Sequence, residues 1–596
     1  MPDSRLDKGI NTFMKNLLVF MKSYKKEAVA APVFKLLEAS FELLVPIVVA
    51  NIIDKGINNP DGGKGGYIAL MCLLMVGLGV VGLASTVAAQ YFAAKASAGF
   101  VRGIRDALFR HINSLSFAQT DVMGASTLIT RMTSDANQVQ IGMNLTLRLL
   151  LRSPFIVLGA AIMAFTVDAK AALVFAVAIP LLAVVIFAIM LACLPMYKKV
   201  QQRLDKVVLS IRENLAGVRV LRAFCLENKE IRAFREKNGA LAADQRRTGR
   251  IAELLNPLTF VIINLGIVWL IYSGALRVEA GLLTQGAVIA LYNYMSQILV
   301  ELIKFANLII NITKALACAK RIETVLQTQP QQIQTDIPAQ PSGEAPAVEF
   351  RAATLVYSAN GSDAAARQES GGAAVQNITL SVKRGEHIGI IGPTGSGKST
   401  LMSLITRFYD CTSGQVLVEG VPVEDYPAQQ LTQRIALVPQ RSTLFTGTVR
   451  ENLLWGRKDA TDEELMQALE LACAKDFVME KGGLDFAVTA GGRNLSGGQR
   501  QRLTIARAIV RRADIMILDD SYSALDNLTD ARVRLAVNSL GATVFTVSQR
   551  TRSVQNCDRI LVLDNGEAVG LGDHETLLRS CAVYREIYQS QEAAKA

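Results

Sequence analysis

Six long apolar stretches, near residues 28–52, 67–93, 146–168, 171–194, 257–279 and 283–312, limit what this chain can fold into. Each is long enough to cross ~30 Å of hydrocarbon as a helix, and a helix satisfies its own backbone polar groups there. The connections after the first, third and fifth stretches are short, at 59–63, 167–170 and 278–280. Those after the second and fourth run for about 50–60 residues with helical periodicity. One carries Arg102, Arg105, Arg110 and Arg131, and the other Lys198, Lys199, Arg203, Lys206 and Arg212. Because Lys and Arg gather on the cytoplasmic side, both long loops and both chain ends are expected in the cytosol. The expected location is the plasma (inner) membrane.

The rest of the chain is not membrane. Of its 596 residues 51% are hydrophobic, and the mean hydropathy of +0.29 fits a membrane part joined to a soluble one. The net charge of +11 is the excess expected of Lys and Arg beside the cytoplasmic leaflet. Residues 1–26 interleave Arg5, Lys8, Lys15, Lys22, Lys25 and Lys26 with Phe13, Leu17, Leu18, Phe20 and Met21, as in a helix lying on the membrane surface. They show no short apolar core with a cleavage site, so no signal peptide is expected. The eight cysteines form no CxxC pair and the three histidines lie far apart, so reduced thiols and no Cys/His metal site are expected.

Residues 327–346 are polar and Pro-rich, as in a linker. Beyond them, strand-like runs at 387–391, 515–518 and 543–547 alternate with helical stretches, which is α/β patterning. The expected organisation is an interfacial helix over 1–26, an all-α transmembrane domain over 27–326, a linker over 327–346 and an α/β P-loop domain over 347–596.

The run from Gly392 to Ser399 satisfies G-x-x-x-x-G-K-[ST] between an apolar strand and a helix expected over 400–408. Glycines let backbone N–H groups close round phosphate, and a helix N-terminus adds positive potential. Gly392, Thr394, Gly395, Ser396, Gly397, Lys398, Ser399 and Thr400 are the candidate ATP contacts, with Lys398 toward the outer phosphates and Ser399 on Mg²⁺. The strand 515–519 ends in Asp519, which would hold Mg²⁺ through water. Leu495-Ser496-Gly497-Gly498-Gln499 opens another helix and is either an ordinary turn or a second anion site facing a partner's nucleotide.

Over essentially its whole length the sequence resembles the ATP-binding cassette family, in its exporter branch. Residues 392–399 resemble the Walker A motif, 495–499 the signature motif and 515–519 the Walker B motif. Gln440 matches the Q-loop, a further Mg²⁺ contact; Ser523–Asp526 match the D-loop and Tyr357 the adenine-stacking aromatic. The loop sequences Leu128–Arg131 and Glu213–Phe224 are similar to those that touch the cassettes. The resemblance implies export by alternating access, with two cassettes sandwiching two ATP. The membrane spans exclude a soluble cassette protein of repair or translation, and no nucleic-acid partner is expected.

Two positions depart from the family. Its general-base Glu is here Asp520, and its switch His, which contacts the γ-phosphate, is Gln549. Asp holds its carboxylate ~1.5 Å further back, and misplacement on that scale costs ~10²-fold; a positioned base is worth ~10²–10⁴-fold. Both changes fall on the site built on this chain's own Walker A, while the signature motif is intact. The chain is therefore similar to the degenerate-site subunit of heterodimeric multidrug exporters, whose partner would bring the Glu and the His. Ala490 stands where such relatives often carry an acidic residue, a weaker departure. A slow homodimeric exporter and an ATP-binding regulatory or channel-like membrane subunit are the alternatives.

In the membrane half, Glu38 and Glu42 lie one helical turn apart. They either attract a cationic substrate or serve packing near the wet cytoplasmic end with Lys35 as partner. Tyr292, Tyr294 and Gln297, with Asn293 and Met295, either line a substrate pathway or make helix contacts. The transported small molecule is expected to be an amphipathic drug, with lipids or peptides behind.

Overall fold

The computed structural model describes residues 17, 19–58, 65–332, 335, 337–357 and 373–593. Arg5, Lys8, Phe13, Lys15 and Leu18 of the expected interfacial helix, and the connection at 59–63, lie outside the described residues. The chain forms two compact units, Met1–Asn113 with Ser126–Thr328, and Ser114–Ala125 with Gln329–Ala596.

Among the described residues, six helices are long and apolar enough to cross a membrane: Val19–Ile57, Gly65–Ser114, Ala125–Val167, Leu173–Ala216, Glu227–Glu279 and Gln285–Gln327. At 1.5 Å per residue, the 50 residues of Gly65–Ser114 reach about 75 Å, well beyond the hydrocarbon thickness. The apolar and the Arg/Lys-rich parts thus belong to continuous helices. Small residues let helices approach closely where apolar burial gives little drive in lipid. A Cβ on Gly286 would lie 2.3 Å from the carbonyl of Ala50 on the first helix. Ala39, Leu43, Phe175, Leu182, Leu270, Leu291, Tyr294 and Ile298 are buried together at the centre.

The second unit carries a six-stranded sheet ordered Glu567–Gly572, Arg559–Asp564, His387–Ile391, Thr543–Val547, Ile515–Asp519, Ile435–Val438. Only the Glu567–Gly572 edge is antiparallel. The strands of a smaller sheet, ordered Val375–Val382, Val348–Leu355, Ser413–Val418, Val421–Pro422, flank His387–Ile391 in sequence. The parallel strands are almost wholly buried runs of Ile, Val and Leu, as expected for a sheet covered on both faces. Within the second unit, Ala339 exchanges two hydrogen bonds with the Gln430 carboxamide, at 2.9 and 2.8 Å.

The loop segment that joins the second unit is Ser114–Ala125, just before the Leu128–Arg131 motif. Its helix Phe117–Met123 starts with a capping box between Ser116 and Gln119. Phe117 stacks on Phe408 with ring centroids 5.1 Å apart.

Candidate nucleotide site

Three adjacent central strands, His387–Ile391, Thr543–Val547 and Ile515–Asp519, run parallel, so their C-terminal ends meet at one edge. The register pairs Val547 with both Ile390 and Asp519. Gly392, Asp519 and Ser548 are therefore delivered to one place by strand pairing alone, the usual ligand edge of a parallel sheet.

The phosphate loop is shaped by its glycines. Gly397 has φ +94°, and a Cβ there would lie 2.3 Å from the Ala374 carbonyl. The helix that follows, Lys398–Ile405, starts two residues earlier than expected and ends three earlier, because Arg407 takes a left-handed backbone. Starting at Lys398 puts the first-turn amides of Lys398, Ser399 and Thr400 directly at the loop, with no side chain capping them. Lys398 is buried, its ammonium donating to the carbonyls of Gly392 at 2.8 Å and Pro393 at 2.6 Å and to Ser396 Oγ at 3.3 Å. Burial pulls the ammonium below its ordinary range, and Asp519 and Asp520 oppose this. Ser399 Oγ donates to Asp519 Oδ1 at 3.0 Å. Burial pushes the Asp519 carboxyl up, the Ser399 bond pulls it down, Asp520 pushes it up and Lys398 pulls it down.

These groups fit ATP and Mg²⁺: a cationic side chain and capless amides for phosphate, and a hydroxyl and a carboxylate in contact for a divalent cation. The cleft they form has a volume of about 370 Å³. Tyr357, Gln440, Asp520 and Gln549 line it too. The hydroxyls of Tyr357 and Thr400 are hydrogen-bonded at 2.9 Å, and Tyr409 meets the Tyr357 ring edge-on with centroids 5.0 Å apart. Thr394 Oγ1 donates to Gln549 Oε1 at 3.4 Å. Asp520 has a left-handed backbone, φ +46°, with its N–H on the Val547 carbonyl at 2.9 Å. Asp is among the few residues that take this conformation readily.

Ser496, Gly497, Gly498 and Gln499 do not line this cleft. Ser496 caps the helix Gly497–Val510, with Gln499 completing a capping box. Ser496 and Gly497 are exposed, and a Cβ on Gly497 would meet nothing within 4 Å. This second helix N-terminus is solvent-exposed and lies apart from the lining of the candidate nucleotide cleft.

Residues 29–302 match the family model for the ABC transporter transmembrane region, and residues 375–523 that for the ABC transporter. An uncharacterized ABC transporter ATP-binding protein of Mycobacterium tuberculosis is 38% identical over 579 residues, 96% of this chain and 97% of its own. The chain belongs to the ABC transporters. An ATP-dependent lipid A-core flippase of Desulfotalea psychrophila is 31% identical over 501 residues, 82% of this chain and 84% of that protein. A bacterial Atm1-family ABC exporter solved with ATP bound shares the fold, with a TM-score of 0.77 at 21% identity over 95% of this chain and 98% of that one.

This ABC transporter is thus an ATP-hydrolysing, multi-pass membrane protein with a cytoplasmic ATP-binding domain. Its membrane unit places Glu38 and Glu42 in a larger ion cluster. Arg152, 7% exposed in its side chain, pairs with Glu301 at 2.5 Å, Glu42 at 2.6 Å and Glu38 at 3.8 Å. Glu301 also accepts from Ser153 Oγ at 3.0 Å and Lys304 at 2.8 Å, and Lys35 pairs with Glu38. Tyr294 is fully buried and donates its hydroxyl to the Leu43 carbonyl at 2.7 Å. Gln297 donates to the Glu42 carbonyl at 3.4 Å, whereas Tyr292 is exposed. Sequence reasoning missed Arg152 and Glu301, although a charge inside an apolar stretch is the signal that marks both.

Proposed function

We propose that this chain is the degenerate-site subunit of a heterodimeric exporter in the plasma (inner) membrane. The observation that carries the reading is one cleft holding Asp520 and Gln549 where a catalytic Glu and a switch His are expected, beside a complete phosphate and Mg²⁺ set.

In this reading the loop amides and Lys398 hold the phosphates of ATP, whose γ-phosphoryl group is the one transferred to water. Ser399, Asp519 and Gln440 hold Mg²⁺, and Tyr357 stacks on adenine. Asp520 sets its carboxylate short of a hydrolytic water, and Gln549, a neutral amide, lies beside Thr394 without the charge a His could carry. The nucleotide stays bound while turnover is slow. Ser496, Gly497, Gly498 and Gln499 close on ATP held by the partner, where backbone donors stabilise charge that develops in the transition state. The exposure of Leu215, Val220 and Phe224 in the second long loop supports an interface with a partner.

An amphipathic substrate is supported by an apolar cleft of about 370 Å³ between Leu173–Leu181 and Ile262–Trp269, and by the lipid A-core flippase among the relatives. Glu38 and Glu42 join a cluster with three cations and three carboxylates, which favours packing over cation capture. The test is ATPase activity of the purified chain alone in nanodiscs. Turnover should be very slow and should rise when the partner subunit is added, whereas brisk hydrolysis by the chain alone rules the heterodimer out. A slow homodimer is the second reading, favoured if substrate transport proceeds without any partner.

A further inference from the structure

Position 549 is held from the far end of the chain. The strand Thr543–Val547 leads into buried Ser548, whose N–H donates to the Ile390 carbonyl at 3.0 Å. Gln549 and Arg550 are exposed, so burial does not fix the turn they make. The short helix Thr551–Val554 then starts with no side-chain cap from Arg550. Its first N–H, on buried Thr551, would be an orphan donor away from water.

The C-terminal helix Ala582–Ala593 supplies the missing partner. Gln591 Oε1 accepts from Thr551 N–H at 2.9 Å and from Thr551 Oγ1 at 3.0 Å. Nε2 of the same carboxamide donates to the Gln549 carbonyl at 2.7 Å. A carboxamide offers an acceptor and a donor on one rigid plane, so a single group spans the turn. The helix itself is well seated. Tyr584 is fully buried with Ile391, Val554, Leu577 and Cys581, and its hydroxyl is hydrogen-bonded to His574 Nδ1 at 2.7 Å.

We propose that Gln591 is a positioning residue for the nucleotide site: it fixes the Gln549–Thr551 turn so that the Gln549 side chain stays beside Thr394. It acts through the backbone of Gln549, and the inference rests on the reading of Gln549 as the switch position facing the γ-phosphate. If so, Gln591 matters for ATP and not for ADP, which lacks that group.

The test is the equilibrium affinity of the full-length chain in lipid nanodiscs for Mg-ATP and Mg-ADP. Gln591→Met keeps the length and removes the polar atoms. It should weaken ATP about fivefold and leave ADP within about twofold. Gln591→Glu keeps the acceptor for Thr551 and loses the donor to Gln549, and should lose the same preference. Gln549→Ala should also abolish the preference, and combining it with Gln591→Met should add nothing, because the two act in series. Equal weakening of both nucleotides by Gln591→Met, or a lower melting temperature with the preference intact, makes Gln591 merely structural and overturns the proposal. Where Gln549→Ala itself keeps the full preference, the switch reading falls and the positioning role with it. Should Gln591→Met fail to fold, Thr551→Val removes one of the three bonds isosterically. A smaller loss of ATP preference supports the proposal there, and none overturns it.

Discussion

Ser399 Oγ donates to Asp519 Oδ1 across 3.0 Å, although the strands that deliver the two residues are separated in the sheet by Thr543–Val547. The bond holds a hydroxyl and a carboxylate together in a position suited to Mg²⁺. It does not fully offset the burial of Asp519, whose carboxyl is pushed above its ordinary range.

That shift has a sign. A carboxyl whose folded pKa is raised contributes stability below its unfolded value and loses it as pH rises through the folded value. At neutral pH and without nucleotide, Asp519 is therefore a cost to the fold. Asp519→Asn should raise the melting temperature of the nucleotide-free protein, by about 2–4 °C for each ~1 kcal/mol released. The same variant should lose the stabilisation that Mg-ATP gives the wild type. Thermal unfolding at pH 7 with and without Mg-ATP checks both halves. A lower melting temperature, or an undiminished response to Mg-ATP, contradicts the account.

If the working site is the partner's, the two motifs of this chain differ in importance. In complex with the wild-type partner at saturating ATP, Ser496→Arg should nearly abolish hydrolysis and transport, since one transition-state donor is worth ~10²–10³-fold. Asp520→Ala should leave a substantial fraction of turnover. The reverse pattern would mean that hydrolysis runs at this chain's own Walker A.

If this chain's own site is the degenerate one, activity should be recoverable within the chain. Asp520→Glu combined with Gln549→His restores the reach of the base and a ring nitrogen at the switch. The left-handed backbone at position 520 charges the longer side chain about 1–2 kcal/mol, so the gain will be partial. An increase in ATPase rate of about tenfold or more over the unmodified chain is still expected. No increase from the pair, with ATP binding intact, removes these residues as the cause of slow turnover.

Much of this fold, and the motifs that line the candidate nucleotide cleft, are legible in the amino-acid sequence. The six spans follow from run length, because a bilayer imposes a fixed thickness on any helix that crosses it. The phosphate loop and Asp519 follow from short motifs whose glycines and carboxylate have local physical reasons. The capping boxes at Ser116–Gln119 and Ser496–Gln499 are legible in the same way, since cap and acceptor lie three residues apart. Pairings across long separations are what the sequence hides. Nothing local ties Gln591 to Thr551, or Arg152 to Glu301. The left-handed turn at Asp520 is hidden too, because it depends on where Val547 presents its carbonyl. The phosphate-loop helix starts earlier than its sequence pattern predicts for a related reason: Gly397, in its left-handed conformation, ends the loop, and the helix can begin at once.

The Arg152 cluster yields the last expectation. Arg152 and Glu301 are both buried, with side chains 7% and 3% exposed, whereas the Glu42 side chain is 40% exposed. Removing Arg152 leaves buried Glu301 with only Ser153 and the exposed Lys304, at a cost of up to about 3–5 kcal/mol, whereas an exposed pair contributes little. Arg152→Met should therefore lower the melting temperature in detergent sharply. Adding Glu301→Gln to it should recover much of the loss, since no carboxylate is then left buried without its guanidinium. Glu42→Gln alone should be mild. Because the cluster balances three cations with three carboxylates, the Glu38→Gln/Glu42→Gln double variant should change transport of cationic and neutral substrates alike. A selective loss of cationic transport would instead assign the two glutamates to the substrate path. An Arg152→Met protein as stable as the wild type would remove the cluster from the packing of the membrane unit.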